Sequence, residues 1–208
     1  MTEAEAGRAN LSIAKLHALS SALDVRLAEL VDVDVSAARG GRIALVGLRG
    51  AGKSSVGRKL ALALEVPFVE LDRRVEERAG LSLASIFELH GAAFFRQLEA
   101  EALEAVLAEG ERLVLAAGGS IVASPATFAR LRQTCHTVWL RAQAEDHYRR
   151  VVAQGDPRPM RGRPRALEEL RAILEQRTRD YARCELEIDT SRLQVDEVVQ
   201  VLLRRFAE

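Results

Sequence analysis

Gly47-Leu48-Arg49-Gly50-Ala51-Gly52-Lys53-Ser54 sets glycines, a lysine and a hydroxyl at the spacing G-x-x-x-x-G-K-[ST]. Glycines let a backbone curl until successive N–H groups point at one anion, and a following helix adds its positive end. This is chemistry for the polyphosphate of ATP. Lys53 would reach the β- and γ-phosphates, and the Ser54 hydroxyl would be a Mg²⁺ ligand. Gly47, Gly50, Ala51, Gly52 and Ser55 complete the expected cradle. The chain has only three lysines, Lys15, Lys53 and Lys59, among thirty basic residues. A lysine in this register therefore carries more weight than any one arginine.

A second group of candidates ends the segment Phe68-Val69-Glu70-Leu71-Asp72. Read as extended chain, Glu70 and Asp72 are two apart and share a face. One carboxylate could hold Mg²⁺ through water while the other takes a proton from an attacking hydroxyl. Spacing alone serves equally well for Asp72 as the cap of a helix beginning at Arg73.

Ala117-Gly118-Gly119-Ser120 offers backbone that a ligand can approach closely, or an ordinary strand-to-helix turn. Residues 147–165 hold six arginines and one aspartate, with prolines that forbid a continuous helix. They form either an anion-facing loop or a solvated basic one. His17, His90, His136 and His147 show no metal-ligand spacing, so structural or surface roles are expected.

The elements that must position these residues follow from the hydropathy pattern. Strands are expected at 42–48, 67–71, 112–117, 136–142 and 186–190. Helices are expected at 53–65, 73–79, 82–90, 92–109, 125–133, 144–154, 166–182 and 194–206. Mostly apolar strands alternating with helices imply an α/β fold, a five-stranded parallel sheet flanked by helices on both faces. Residues 6–31 read as short helices, with Ser12 and Asp24 as candidate caps. Residues 32–41 are a linker, and the main domain spans 42–208.

The 208-residue chain balances thirty basic against thirty acidic residues, so no global field holds it on nucleic acid or an anionic membrane. No apolar run approaches a bilayer span and no signal core opens the sequence, so a cytoplasmic protein is expected. Cys135 and Cys184 are expected to be free thiols.

From Arg42 onward the sequence resembles the shikimate kinases. In that family a phosphate loop precedes a strand ending D-x-D, then S-I-x-x-I-F, then F-R-x-x-E. Here the corresponding stretches are GLRGAGKSS, FVELD, SLASIF and FRQLE. The resemblance implies a three-layer P-loop fold and phosphoryl transfer from ATP, with Mg²⁺, to shikimate. It makes Lys53 and Ser54 the phosphate and Mg²⁺ residues, and Asp72 the acceptor-binding base. Glu70 stands where the family has Asp and would hold a metal-bound water. Phe87 and Phe95 would flank the substrate ring. Arg96, oriented by Glu99, and Arg177 would grip the substrate carboxylate. Gly118, Gly119 and Ser120 replace a run of three glycines at the substrate. Arg158 matches a lid arginine over the transferred phosphoryl group, and Arg150 and Arg192 lie on the adenine side. Arg177-Thr178-Arg179-Asp180-Tyr181 departs from the family's R-x-P-L-Y.

Residues 5–31 resemble the second half of a Cro/repressor-type (XRE) helix-turn-helix domain. The base-reading helix of that fold precedes this segment, so no sequence-specific DNA binding is expected. The first forty residues hold four basic and six acidic residues, which supply no substitute footprint. The layout is similar to regulators of aromatic-acid degradation that fuse such a domain to a shikimate-kinase-like effector domain. Benzoyl-CoA, an aromatic acyl-CoA, is the effector that similarity implies. Two readings therefore stand: a kinase, expected to be a monomer, and a ligand-sensing module of a transcriptional regulator, expected to be a dimer.

Overall fold

The computed structural model describes residues 12–22, 39–153 and 165–206. The chain divides into two compact units, Met1–Ala38 and Arg39–Glu208. In the first, helix α1 (Ile13–Ala22) starts at Ser12 as its sequence predicts. The Ser12 hydroxyl oxygen accepts from the Lys15 N–H at 3.4 Å, and its carbonyl accepts from Leu16 N–H at 3.0 Å. The expected cap at Asp24 lies outside the described residues.

The second unit alternates strands and helices. In chain order it runs β1 (Gly41–Val46), α2 (Lys53–Ala63), β2 (Phe68–Glu70), α3 (Leu71–Ala79) and α4 (Leu83–Glu109). It continues β3 (Arg112–Ala116), α5 (Pro125–Thr134), β4 (His136–Arg141), α6 (Ala144–Ala153), α7 (Ala166–Tyr181), β5 (Leu186–Asp189) and α8 (Val195–Phe206). The strands form one parallel sheet in the order β2-β3-β1-β4-β5.

Side-chain alternation divides the core. Ala44, Val46, Leu113, Leu115 and Trp139 point to one face and pack with Val75, Leu103, Val106 and Phe128 of α3, α4 and α5. Ile43, Leu45, Val114, Val138 and Leu140 point to the other, against Val56 and Leu60 of α2 and Val198 and Leu202 of α8. Both faces are covered, so the inner strands β1, β3 and β4 carry runs of buried residues. All strands being parallel, the loops after β1, β2 and β3 leave the sheet at one edge. On either side of β1 the chain order reverses, which opens a crevice at the carboxyl ends of the strands.

The helices expected at 82–90 and 92–109 are both present, as two helical segments of α4 separated by a kink at Gly91 (φ 77°, ψ −179°). Only a residue without Cβ adopts that backbone readily, so Gly91 interrupts the helix where the sequence leaves the gap. One sequence expectation changes: the helix expected from Arg73 begins at Leu71. Ser82 caps α4, its hydroxyl oxygen accepting from Ser85 N–H at 3.2 Å. The Leu83 N–H donates to Glu76 Oε1 at 2.8 Å, tying the start of α4 to α3. Among the described residues, no helix is long and apolar enough to cross a membrane. Cys135 and Cys184 are free thiols.

Candidate active site

A cleft of about 700 Å³ opens at the carboxyl edge of the sheet. The phosphate loop forms one wall through Gly50, Gly52, Lys53, Ser54 and Ser55. Glu70 and Asp72 line the same cleft, as do Phe87 and Gly119. The parallel sheet thus delivers a polyphosphate cradle and a carboxylate base to one cavity, although they are separated in sequence.

Within the loop, the Lys53 ammonium donates to the carbonyls of Gly47 at 2.6 Å and Leu48 at 3.2 Å. Burial brings its pKa down to about 8, against the opposing pull of the Asp72 carboxylate. The ammonium stays mostly charged at neutral pH, and a polyanion beside it would raise its pKa again. Ala51 is buried beneath the loop.

Asp72 sits in the first turn of α3. Burial raises its pKa above the ordinary carboxylate value; Lys53 opposes the shift, while Glu76 and Glu70 add to it. Both expectations for its backbone are corrected. β2 ends at Glu70, so Glu70 and Asp72 do not share a face of extended chain. The helix cap falls on Glu70, so Asp72 is not the cap. The turn into α3 brings both carboxylates to the cleft nonetheless. Glu70 is ion-paired with Arg58 at 3.4 Å and with Arg73 at 3.1 Å.

Beneath Asp72 lies Glu99, fully buried on α4, with neither carboxylate oxygen hydrogen-bonded. Burial first, then the charge of Asp72, push its pKa up to about 8. Glu99, expected to orient Arg96, makes no hydrogen bond to it. Arg96 is exposed and acts on Glu99 only through its charge. Arg96 does not line the cleft among the described residues. Phe95 is buried and meets the half-exposed Phe87 in a tilted ring contact, centroids 4.6 Å apart.

The segment after β3 is fixed from the far side. The Gly119 carbonyl accepts from Arg177 Nη1 at 2.9 Å and from the Tyr181 hydroxyl at 2.6 Å. Tyr181 is buried and stacks on Trp139. Ser120 has φ −96° and ψ −3°, a backbone that any residue adopts, so a third glycine is not needed for the turn. Gly118 is buried.

Arg150 faces the protein. It donates to the Gly50 carbonyl at 3.3 Å, to the Thr190 hydroxyl at 3.1 Å and to the Thr190 carbonyl at 2.6 Å. Arg192 is exposed, 3.7 Å from Asp189. Arg158 lies outside the described residues. Sequence reasoning missed Arg49, Arg73 and Glu76 as cleft residues, and Tyr181 and His147 as supports. Arg49 sits at a variable position of the phosphate-loop motif and Tyr181 ends the Arg177–Tyr181 stretch, while Arg73, Glu76 and His147 belong to no motif. Only the register of α3 and the packing of α6 and α7 reveal them.

Among the described residues, no group of three or more His, Cys, Asp or Glu side chains gathers to hold a metal ion. Mg²⁺ in phosphoryl transfer takes only one or two protein oxygens, with phosphate and water supplying the rest. The cleft is lined by hydroxyls and carboxylates that fit that requirement, and Ser54 and Glu70 are among those that could hold it.

A phosphate loop after the central strand of a parallel five-stranded sheet, facing a half-buried aspartate across one cleft, defines a P-loop kinase of small molecules. The shikimate kinase family model matches residues 49–207, and the chain belongs to the shikimate kinase family. It is 37% identical over 175 residues to a shikimate kinase of Nitrobacter winogradskyi, covering 82% of this chain and 81% of that one. It is 40% identical over 168 residues to a shikimate kinase of Symbiobacterium thermophilum, covering 80% and 96%. Among solved structures it is similar to shikimate kinase from Acinetobacter baumannii in complex with shikimate, with a TM-score of 0.74 and 28% identity, covering 83% of this chain and 97% of that one.

Proposed function

We propose that this chain transfers the γ-phosphoryl group of ATP to a hydroxyl of shikimate, giving shikimate 3-phosphate and ADP. The observation that carries the reading is the single cleft shared by Lys53 and Asp72, close enough that each shifts the other's proton affinity. The acceptor oxygen attacks the γ-phosphorus, the bond to the β-phosphate oxygen breaks, and the acceptor proton passes to Asp72. Lys53 and the loop N–H groups hold the β- and γ-phosphates and stabilise the charge shed onto the leaving ADP. Bound Mg²⁺ would neutralise phosphate charge. Arg177, anchored on Gly119, keeps further donors for a carboxylate, and Arg96 is its proposed partner. Phe87 would cover the ring. Arg158 would meet the transferred group.

The test is a coupled ADP-release assay on the full chain with shikimate, run beside Asp72→Asn. Shikimate-dependent turnover that falls at least about a hundredfold in the variant supports the proposal, since general-base catalysis contributes that much. Turnover independent of shikimate, or unchanged in Asp72→Asn, contradicts it.

A second reading rests on one observation. Met1–Ala38 forms a compact unit of its own, outside the residues that match the family. With the likeness of residues 5–31 to a helix-turn-helix domain, this supports a regulator whose kinase-like unit binds ATP and an aromatic acyl-CoA such as benzoyl-CoA. Calorimetric binding of benzoyl-CoA without shikimate-dependent turnover would favour it.

A further inference from the structure

His147 on α6 is buried, with its Nδ1 2.8 Å from the carbonyl oxygen of Arg49. A carbonyl oxygen only accepts, so Nδ1 carries a proton in this contact. Burial lowers the pKa of the ring. Lys53 on α2 and Arg150 on α6 lower it further, while the Arg49 carbonyl and Asp146 oppose them. At neutral pH the ring is the neutral Nδ1–H tautomer.

The loop and α6 also touch at Gly50. A Cβ there would stand 2.9 Å from the His147 carbonyl oxygen and 3.1 Å from Val151 Cγ2, and Gly50 has φ +81°. So α6 is the back wall of the phosphate loop. One turn after His147, Arg150 braces the Gly50 carbonyl from the same helix.

Peptide planarity turns this contact into an orientation. No cis peptide bond occurs among the described residues. In a trans peptide the C=O and the next N–H point in opposite directions. Fixing the Arg49 carbonyl against α6 therefore turns the Gly50 N–H away from α6. Gly50 lines the cleft, and His147 does not.

We propose that His147 is a positioning residue for nucleotide binding: its Nδ1–H holds the Arg49 carbonyl and so aims the Gly50 N–H at the phosphate oxygens of a nucleoside di- or triphosphate. The inference rests on the proposed use of the loop as a nucleotide cradle and extends it to a residue outside the motif.

The test compares the full-length wild type with His147→Leu and His147→Asn. The amide nitrogen of Asn stands near the place of Nδ1 and can donate; Leu cannot. MgADP affinity is measured by calorimetry, KM for ATP and shikimate by ADP release, and folding by thermal melts. His147→Leu is expected to weaken MgADP binding and raise KM for ATP about tenfold, the scale of one buried hydrogen bond, with KM for shikimate changed less than about twofold. His147→Asn is expected to restore ATP affinity to within about threefold of the wild type. Wild-type affinity in His147→Leu, or equal loss in both variants, overturns the proposal. A wild type that binds no MgADP overturns the nucleotide reading instead. If His147→Leu fails to fold, His147→Gln replaces it, since its amide stands near the place of Nε2 and is expected to give the same loss.

Discussion

Asp72 and Glu99 converge on the backbone of Gly118. A Cβ built there would lie 2.7 Å from Asp72 Oδ1 and 2.9 Å from Glu99 Oε1. Two acidic groups from different helices thus share the space that a glycine leaves open after β3. This explains why a side chain is excluded at position 118 while Ser120, two residues on, is accommodated.

Gly118→Ala is therefore expected to displace the proposed base rather than strain the turn. A displacement on the order of 1 Å at a reacting group costs about a hundredfold in rate. Steady-state assays should show kcat falling on that scale, with MgADP affinity by calorimetry unchanged. A variant with wild-type kcat would show that Asp72 does not need this space.

Glu99 gives stability a pH dependence with a definite sign. Its folded pKa is about 8, above the ordinary value of 4.5, so between these values the folded state binds more protons than the unfolded one. The stability linked to Glu99 is present below the unfolded pKa and is lost as pH rises through about 8. Thermal melts at several pH values should show the wild type losing stability from weakly acidic to alkaline conditions, with a flatter profile in Glu99→Gln. Parallel profiles in the two proteins would remove Glu99 as the source.

Arg177 and Tyr181 share the Gly119 carbonyl, and the further N–H groups of Arg177 are the proposed donors to a substrate carboxylate. Arg177→Leu is expected to raise KM for shikimate at least tenfold, roughly the worth of a charge-assisted bond. Tyr181→Phe removes a neutral hydrogen bond and is expected to cost about 1 kcal/mol in urea unfolding with little change in KM. An exchange of these phenotypes would invert the assignment.

The phosphate loop was fully legible in the sequence because its function lies in local backbone geometry: glycines, a strand before and a helix after. The three inner strands β1, β3 and β4 were legible because burial on both faces leaves apolar runs, and the edge strands β2 and β5 because short apolar stretches sit between helices. Tertiary turns were harder to read. A period-2 argument puts Glu70 and Asp72 on one face of extended chain, yet the chain becomes helical at Leu71, and it is the turn that brings both to the cleft. Arg96 and Glu99 are spaced as a pair on one helix, but Glu99 points into the core and Arg96 to the surface. His147 carries no motif; its role comes from a contact across 98 positions of chain.

Lys53 separates nucleotide binding from everything downstream of it. Lys53→Ala is expected to weaken MgADP binding at least tenfold in calorimetry, because a buried ammonium among phosphates makes charge-assisted bonds. Unchanged affinity would place the nucleotide elsewhere.

The central claim, a cleft that moves a phosphoryl group onto shikimate, is tested most directly by identifying the product. The full chain is incubated with ATP, Mg²⁺ and shikimate, and the mixture is analysed by mass spectrometry and phosphorus NMR. Shikimate carrying one phosphoryl group on its 3-hydroxyl, formed in step with ADP and lost in Asp72→Asn, is the expected result. ADP accumulating with inorganic phosphate while shikimate stays unmodified would contradict the account.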